Sequence, residues 1–362
     1  MSGELWILGA AGRTGSGVAR RLAKRGLKLV LVGRDEGRLQ AVAQNRSRVV
    51  VAKTLEETLE VLRKSAPAPA VVVNTIGPFA QTAPAVIRAC PKGTHYVDLS
   101  NELLAVVDLL AMNDEASASG KCLVTGAGYG FVGTESVVRR LCGGLPAPER
   151  VRVDAIPYIG GSGVALGEAL AASIVDSLAA GGREYREGKL VLSRPASHSE
   201  KLTLPDGSQV TTASGPTGDL VAAWRASKAP SVVARSSELP SSAIARTVIP
   251  MMSALMRWKP MRDFSVRQLA QVKAPAATHG RTSSFGHARV EWSDGTTREG
   301  WLRAGEGMDF TCAVLAEVAA RLASGGGRPG AFTPCELFGA ELAEAAGATI
   351  SLAPSPLGRG SG

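Results

Sequence analysis

The stretch Leu5-Trp-Ile-Leu-Gly9-Ala-Ala-Gly12-Arg-Thr-Gly15 decides the fold, because an apolar run is followed by three evenly spaced glycines. Such a pattern predicts a strand, a tight turn and a helix from about residue 16 to residue 24. The first glycine bends the chain, the second lets the backbone approach a pyrophosphate, and the third lets the helix pack closely. The free amides and the dipole at the start of that helix attract phosphate. We therefore predict a dinucleotide-binding turn, with a tight turn that holds no ligand as the alternative.

The end of the next strand indicates which dinucleotide is bound. Residues 28–32 form a second apolar run, and Gly33 and Arg34 follow it. An acidic residue at this place would accept hydrogen bonds from a ribose 2'-hydroxyl, whereas an arginine pairs with a 2'-phosphate. Arg34 therefore favours NADP, and Arg13 in the glycine-rich turn offers a second contact. Asp35 beside Arg34 leaves open that both arginines are merely solvated.

The cofactor-binding residues predicted from these two segments are Gly9, Ala11, Gly12, Arg13, Thr14, Gly15, Gly33 and Arg34.

Composition is typical of a soluble enzyme of two domains, since 362 residues with 45% hydrophobic content can bury a sizeable core. No run approaches the roughly 20 apolar residues of a spanning helix, and no leader pattern is present, so we predict a cytoplasmic protein without a membrane span. The five cysteines form no CxxC and no cluster with metal-ligand spacing, so no metal site is predicted.

The net charge of +9 is unevenly distributed, with 18 Lys and Arg against 10 Asp and Glu between residues 183 and 303. Only 4% of residues are aromatic, which argues against stacking on nucleic acid. The basic excess favours a small anionic or carrier-bound substrate, although a generic solubility charge is an equal alternative.

Strand and helix patterns alternate up to Gly130, which predicts a doubly wound parallel sheet. Beyond it, Asp206-Gly207 and Asp294-Gly295 each interrupt alternating apolar and polar residues, the pattern of a β-hairpin. We therefore expect a second domain with an antiparallel sheet. The methionine-rich residues 243–258 would line a substrate channel, lie in a dimer interface or form core.

Together these motifs resemble the saccharopine dehydrogenase-like oxidoreductase family, including its trans-acting enoyl reductase branch. The resemblance rests on residues 5–33, on the turn from Asn74 to Phe79, and on several shorter segments in the same order, which are residues 93–102, 161–163, 306–317 and 332–339. One departure is the segment 130–135, GFVGTE, where the family often has Gly-Phe-Asp and then a proline.

The resemblance implies an NADP-binding Rossmann domain at residues 1–130 and an inserted α+β domain for substrate and dimer contacts at 131–305. It also implies C-terminal helices at 306–352 that return to the Rossmann domain, with a disordered tail at 353–362. Asn74, Gly77, Pro78 and Phe79 would lie along the cofactor, and a homodimer is expected.

The activity that these observations predict is NADPH-dependent reduction of a polarised double bond. The leading hypothesis is a C=N bond in an imine derived from an amino acid or amine. The alternatives are a C=C bond in an acyl thioester and a non-catalytic NADP-binding sensor or scaffold. Tyr129, Tyr158 and Asp98 are the candidate catalytic residues, because such a reaction needs a proton donor or relay.

Overall fold

The computed structural model describes residues 3–44, 47–160, 168–194, 196, 199–238, 255–256, 258–272 and 281–353, without the side chains of residues 168–170. Seven strands form a parallel sheet in the order β15-β6-β5-β4-β1-β2-β3, so the predicted Rossmann-type α/β fold is confirmed. The strands of this sheet are β1 (Leu5–Leu8), β2 (Leu29–Gly33), β3 (Ser47–Val51), β4 (Val71–Asn74), β5 (His95–Asp98), β6 (Cys122–Val124) and β15 (Gly330–Phe332).

The helices of the N-terminal part alternate with these strands, as the hydrophobic pattern predicts. Helix α4 begins earlier than predicted, at Phe79, and carries Pro84 within it. The bounds are α1 (Arg13–Lys24), α2 (Glu36–Val42), α3 (Leu55–Arg63), α4 (Phe79–Ala89), α5 (Leu103–Ala111), α6 (Asn113–Ala118) and α7 (Tyr129–Cys142). All four residues of both β1 and β4 are buried, as expected for central strands that helices cover on both faces.

The second sheet is mixed rather than purely antiparallel, because β12 and β7 pair in parallel. Both predicted hairpins are present, β10 with β11 and β13 with β14. The strands are β7 (Arg150–Ile156), β8 (Gly182–Arg186), β9 (Lys189–Ser193), β10 (Glu200–Thr203), β11 (Gln209–Ser214), β12 (Ser231–Ser236), β13 (Ser284–Glu291), β14 (Thr297–Ala304) and β16 (Thr349–Leu352).

The C-terminal segment contributes to both sheets. Strand β15 extends the parallel sheet beside β6, whereas β16 pairs with β14 in the second sheet. Neither strand was predicted, because each lies outside the regular alternation of strand and helix patterns. The remaining helices are α8 (Glu168–Ala180), α9 (Asp219–Ser227), α10 (Lys259–Gln271), α11 (Gly307–Ala323), α12 (Pro334–Phe338) and α13 (Glu341–Ala345). Most of the methionine-rich stretch and residues 354–362 of the predicted tail lie outside the described residues.

Helix α7 joins the two layers. It follows β6 in the Rossmann sheet, and it packs against β13 and β14 of the second sheet. At the crossing point with β13, a Cβ placed on Gly286 would lie 2.2 Å from the carbonyl oxygen of Gly133. Only two glycines permit so close an approach of helix and strand backbones.

Candidate active site

The glycine-rich turn has the geometry that the sequence predicts for a phosphate cradle. Gly9 adopts a φ of +76°, in the left-handed region that favours glycine. A Cβ on Gly15 would lie 2.4 Å from the carbonyl oxygen of Gly9, so helix α1 rests directly on the turn. Gly12 is the N-cap of α1 and provides no side-chain cap. The first amides of α1 are thus available to phosphate oxygens.

Arg34, at the end of β2, is exposed, and no described residue forms a hydrogen bond or ion pair with it. Its neighbour Asp35 forms no ion pair with it. The Asp35 carboxylate instead accepts the backbone amide of Arg38 and so caps α2. The Arg38 guanidinium donates to the carbonyl oxygen of Ala11, 3.0 Å away, in the glycine-rich turn. Sequence reasoning missed Arg38, although its place one helical turn after Arg34 was a usable signal.

Arg13 points toward the second domain and not toward Arg34. Its guanidinium donates to the carbonyl oxygen of Gly160 at 3.3 Å. The amide of Gly160 donates to Glu306 Oε1 at 3.0 Å, and a Cβ on Gly160 would lie 3.6 Å from the Tyr158 hydroxyl. Tyr158 is half-buried. Because Gly160 contacts both Tyr158 and Arg13, this candidate lies close to the start of α1, between the two sheets.

Asn74 and Asp98 are connected by hydrogen bonds inside the Rossmann domain. The Asn74 amide donates to the Tyr96 hydroxyl at 3.1 Å, and Tyr96 donates to Asp98 Oδ2 at 2.9 Å. Asp98 also accepts from Thr125 and from two backbone amides, and burial raises its pKa to about 6. Both side chains are fully buried, so they hold the carboxyl ends of β4, β5 and β6 in place.

Glu102 occupies the N-terminus of α4. Its carboxylate accepts the amides of Phe79 and Ala80, each at 3.1 Å, and the hydroxyl of Ser173 on α8 at 2.5 Å. The turn through Gly77 and Pro78 is thereby fixed, and the start of α4 is neutralised. The first amides of α1 are therefore available to phosphate, whereas those of α4 are already bound to Glu102.

Tyr129 is buried at the start of α7, and its hydroxyl is engaged by the backbone of the second domain. It donates to the carbonyl oxygen of Phe285 and accepts the amide of Ile156 at 3.0 Å. Burial raises its pKa well above the ordinary value. These bonds favour a role for Tyr129 in joining the domains over a role as proton donor.

Three charged side chains that sequence reasoning missed act electrostatically on Tyr129, namely Asp219, Glu238 and Arg281. Asp219 is 1% exposed, and neither of its carboxylate oxygens has a hydrogen-bond partner. In Arg281, Nε and Nη1 are buried and likewise have no partner. Buried polar groups without partners are rare and point to a missing ligand. We call Asn101, Thr217, Asp219, Glu238 and Arg281 the polar cluster.

Asn101 and Asp219 of the polar cluster lie at the carboxyl ends of the parallel strands. A Cβ on Gly130 would lie 3.0 Å from Asp219 Oδ1 and 3.4 Å from the side-chain nitrogen Nδ2 of Asn101. Asn101 follows β5, and Gly130 follows β6. Asn101 and Glu238 are exposed, so solvent reaches the edge of the cluster. This edge of a doubly wound sheet is where ligands bind.

The glycine-rich turn at the start of α1 has the geometry of a dinucleotide-binding site. Residues 5–124 match the family model of the saccharopine dehydrogenase NADP binding domain. Residues 5–124 thus form a saccharopine dehydrogenase-like NADP-binding domain, as the motifs predict, and this domain supports an NADP-dependent oxidoreductase. NADP as the cofactor is confirmed by the same match. No match was found among curated proteins.

Among solved structures, the chain is similar to apo saccharopine dehydrogenase (L-Glu forming) from Saccharomyces cerevisiae. The identity is 14%, the TM-score is 0.60, and the match covers 97% of this chain and 100% of that one. This likeness supports the fold. A short-chain dehydrogenase/reductase from Vibrio parahaemolyticus matches at 16% identity and a TM-score of 0.31, over 33% of this chain and 82% of that one.

The open amides of α1 and the exposed Arg34 fit NADP, since both are suited to phosphate. Within the described residues, no group of three or more His, Cys, Asp and Glu side chains is arranged to hold a metal ion. No helix in the described part of the chain is long and apolar enough to cross a membrane. The homodimer and the cytoplasmic location stay predictions.

Replacing Arg34 with aspartate is expected to weaken NADPH binding by about 2 to 3 kcal/mol and to leave NADH binding nearly unchanged. The reason is that a charge-assisted pair with the 2'-phosphate would be lost. Fluorescence titration with both cofactors measures this, with Arg63→Asp on the exposed face of α3 as a control. Equal loss for both cofactors would remove Arg34 from the 2'-phosphate site.

Proposed function

We propose that this protein reduces the C=N bond of an imine derived from an amino acid, with NADPH as the reductant. The observation that carries the proposal is Arg281, whose buried Nε and Nη1 have no hydrogen-bond partner. Asp206 lies near enough for the Arg281 charge to lower its pKa, but the two form no hydrogen bond. A guanidinium left in this state is strongly unfavourable, and a substrate carboxylate would stabilise it with charge-assisted hydrogen bonds.

The charges around Arg281 further support a substrate that carries both a carboxylate and a nitrogen. Asp219 and Glu238 are acidic, and the charges of both, like that of Arg281, act on the pKa of Tyr129. A carboxylate and a protonated nitrogen on one molecule would complement both signs. An enoyl thioester has neither group near its reacting bond, so the cluster favours the imine.

In this proposal, different residues bind the cofactor and the substrate. NADPH supplies the hydride. The first amides of α1 and Arg34 would hold its phosphates, and the turn from Asn74 to Phe79 would lie along it. Arg281 would bind the substrate carboxylate, and the acids of the cluster would face the substrate nitrogen. Tyr158 stays a candidate for contact near the start of α1.

The proposal predicts NADPH oxidation with a pool of cyclic imine carboxylates and with keto acids plus amino acids, but not with a pool of enoyl thioesters. Absorbance of the reduced nicotinamide reports turnover. In Arg281→Ala, KM for the imine is expected to rise about 100-fold, while the Kd for NADPH stays the same. Arg281→Lys should recover only part of this, because lysine has a compact ammonium group in place of the guanidinium.

Each other outcome identifies an alternative. Turnover of the enoyl thioesters alone would replace the imine by a conjugated C=C bond. Tight NADPH binding with no turnover in either pool would contradict the proposal and favour the sensor hypothesis. Unchanged kinetics in Arg281→Ala would move the carboxylate site elsewhere.

A further inference from the structure

We propose that Asp219 is the acid of the reaction, giving its proton to the substrate nitrogen as hydride reaches the neighbouring carbon. This inference rests on the proposed function and adds a catalytic residue to it. Asp219 is the first residue of α9 and is almost fully buried, yet both its oxygens have no hydrogen-bond partner. A structural aspartate at a helix start would normally cap amides, as Asp35 does for α2.

The neighbours of Asp219 position its carboxyl group without neutralising it. Asn101 and Thr217 lie beside it and lower its pKa, although neither forms a hydrogen bond of ordinary geometry. The amide of Gly218 donates to the carbonyl oxygen of Asn101 at 3.0 Å, and Glu102 pairs with Thr217 in a β-bridge. Two backbone contacts thus hold the start of α9 against the end of β5, so the carboxyl group faces the carboxyl edge of the sheet.

The charged groups around Asp219 favour its protonated form. Burial, with a smaller contribution from the negative charge of Glu238, raises its pKa to about 7. Tyr129 on α7 is neutral because its own pKa is high, and the Glu102 carboxylate is engaged by α4 and Ser173. Arg281 is a cation whose charge acts on the neighbouring Tyr129. An acid that titrates near neutral pH is suited to proton donation.

In this step the C=N π bond breaks, its carbon receives hydride, and its nitrogen receives the proton from Asp219 Oδ. NADPH becomes NADP+, Asp219 becomes a carboxylate, and the product is a neutral amine. Solvent at the edge of the cluster then returns the proton.

The test compares Asp219→Asn with Glu238→Gln on a neutral cyclic imine carboxylate and on its N-methyl iminium analogue. In Asp219→Asn, kcat/KM for the neutral imine is expected to fall about 100- to 1000-fold at pH 6. The defect on the N-methyl iminium should shrink to less than about tenfold, since that substrate needs no proton. A purely structural role would impair both substrates equally. Glu238→Gln, in the same cluster, should impair both substrates alike, without the selective loss on the neutral imine.

The pH profile gives a second measurement. In the wild type, kcat/KM for the neutral imine should fall above about pH 7, as Asp219 ionises. In Asp219→Asn this limb should vanish. NADPH binding and far-UV circular dichroism serve as checks that the variant folds.

The outcomes separate this inference from the proposed function. If the wild type reduces the imine and Asp219→Asn does so equally well, Asp219 is not the acid, while the function stands. If only enoyl thioesters react and Asp219→Asn lowers their kcat/KM, the imine is wrong but Asp219 remains the acid. If neither pool reacts, or if Glu238→Gln causes the selective loss instead, the inference is overturned.

Discussion

Replacing Gly15 with alanine is expected to weaken NADPH binding at least about 100-fold, or nearly 3 kcal/mol. The added Cβ would lie 2.4 Å from the Gly9 carbonyl oxygen and 2.8 Å from Ala10 Cα. Both atoms belong to the backbone, so helix α1 must move away from the turn that it supports. The amides that bind phosphate would then leave their positions. Fluorescence titration with NADPH measures the loss.

The sign of the stability change makes this substitution informative. Helix propensity alone predicts that alanine in α1 stabilises the protein by about 1 kcal/mol. Overpacking predicts a lower free energy of unfolding, by about 1 to 3 kcal/mol. Gly305→Ala is the matched control, because nothing lies within 4 Å of its added Cβ. Wild-type NADPH binding by Gly15→Ala would contradict the close packing of the turn.

Asp154→Ala is expected to lower the free energy of unfolding by about 3 to 5 kcal/mol, because it breaks a buried charge network. The Asp154 carboxylate lies 2.9 Å from Arg235 Nε, 2.9 Å from His287 Nδ1 and 3.1 Å from Arg152 Nε. Arg235 is only 2% exposed, so the loss of Asp154 leaves a buried guanidinium short of negative charge. Urea denaturation measures the change. Glu291→Ala, which removes an exposed ion pair with Arg289, should change stability by less than about 1 kcal/mol.

The same network predicts a pH dependence with a definite sign. Burial lowers the pKa of His287, but hydrogen bonds to Asp154 and Glu299 outweigh burial and raise it above 6.5. A raised histidine pKa stabilises the folded state below the unfolded value, and this contribution is lost as pH rises through the folded value. Wild-type stability should therefore decline on the alkaline side of pH 6.5, and less so in Asp154→Ala. An equal decline in both proteins would contradict the coupling.

The cofactor half of the molecule was predictable because its signals are local. Gly9, Gly12 and Gly15 indicate the backbone geometry of the turn directly. The strands from there to residue 124 are apolar runs that alternate with helical patterns. The two hairpins of the second sheet were found through Asp206-Gly207 and Asp294-Gly295 for the same reason. Strands β15 and β16 were missed because they lie outside the regular alternation of strand and helix patterns that revealed the equally short strands up to β6, and their partners lie far away in the sequence.

The polar cluster could not be predicted, since its members come from distant segments. Asn101 follows a Rossmann strand, Asp219 begins α9, and Arg281 precedes β13. Asn101 lies in the segment 93–102 that carries the resemblance, but Asp219 and Arg281 stand in no motif, and what singles them out is the lack of hydrogen-bond partners in the folded protein. Tyr129 was singled out because it follows the sixth strand, and its two backbone bonds to the second domain are equally invisible in the sequence.

The contact between Gly133 of α7 and Gly286 of β13 bears on how the chain melts. A helix whose backbone touches a strand of the other layer cannot detach without exposing the hydrophobic surfaces of both layers. We therefore expect the two layers to share a single cooperative transition, so that calorimetry records one peak. Binding of NADPH to the Rossmann layer would then raise the melting temperature of the other layer as well.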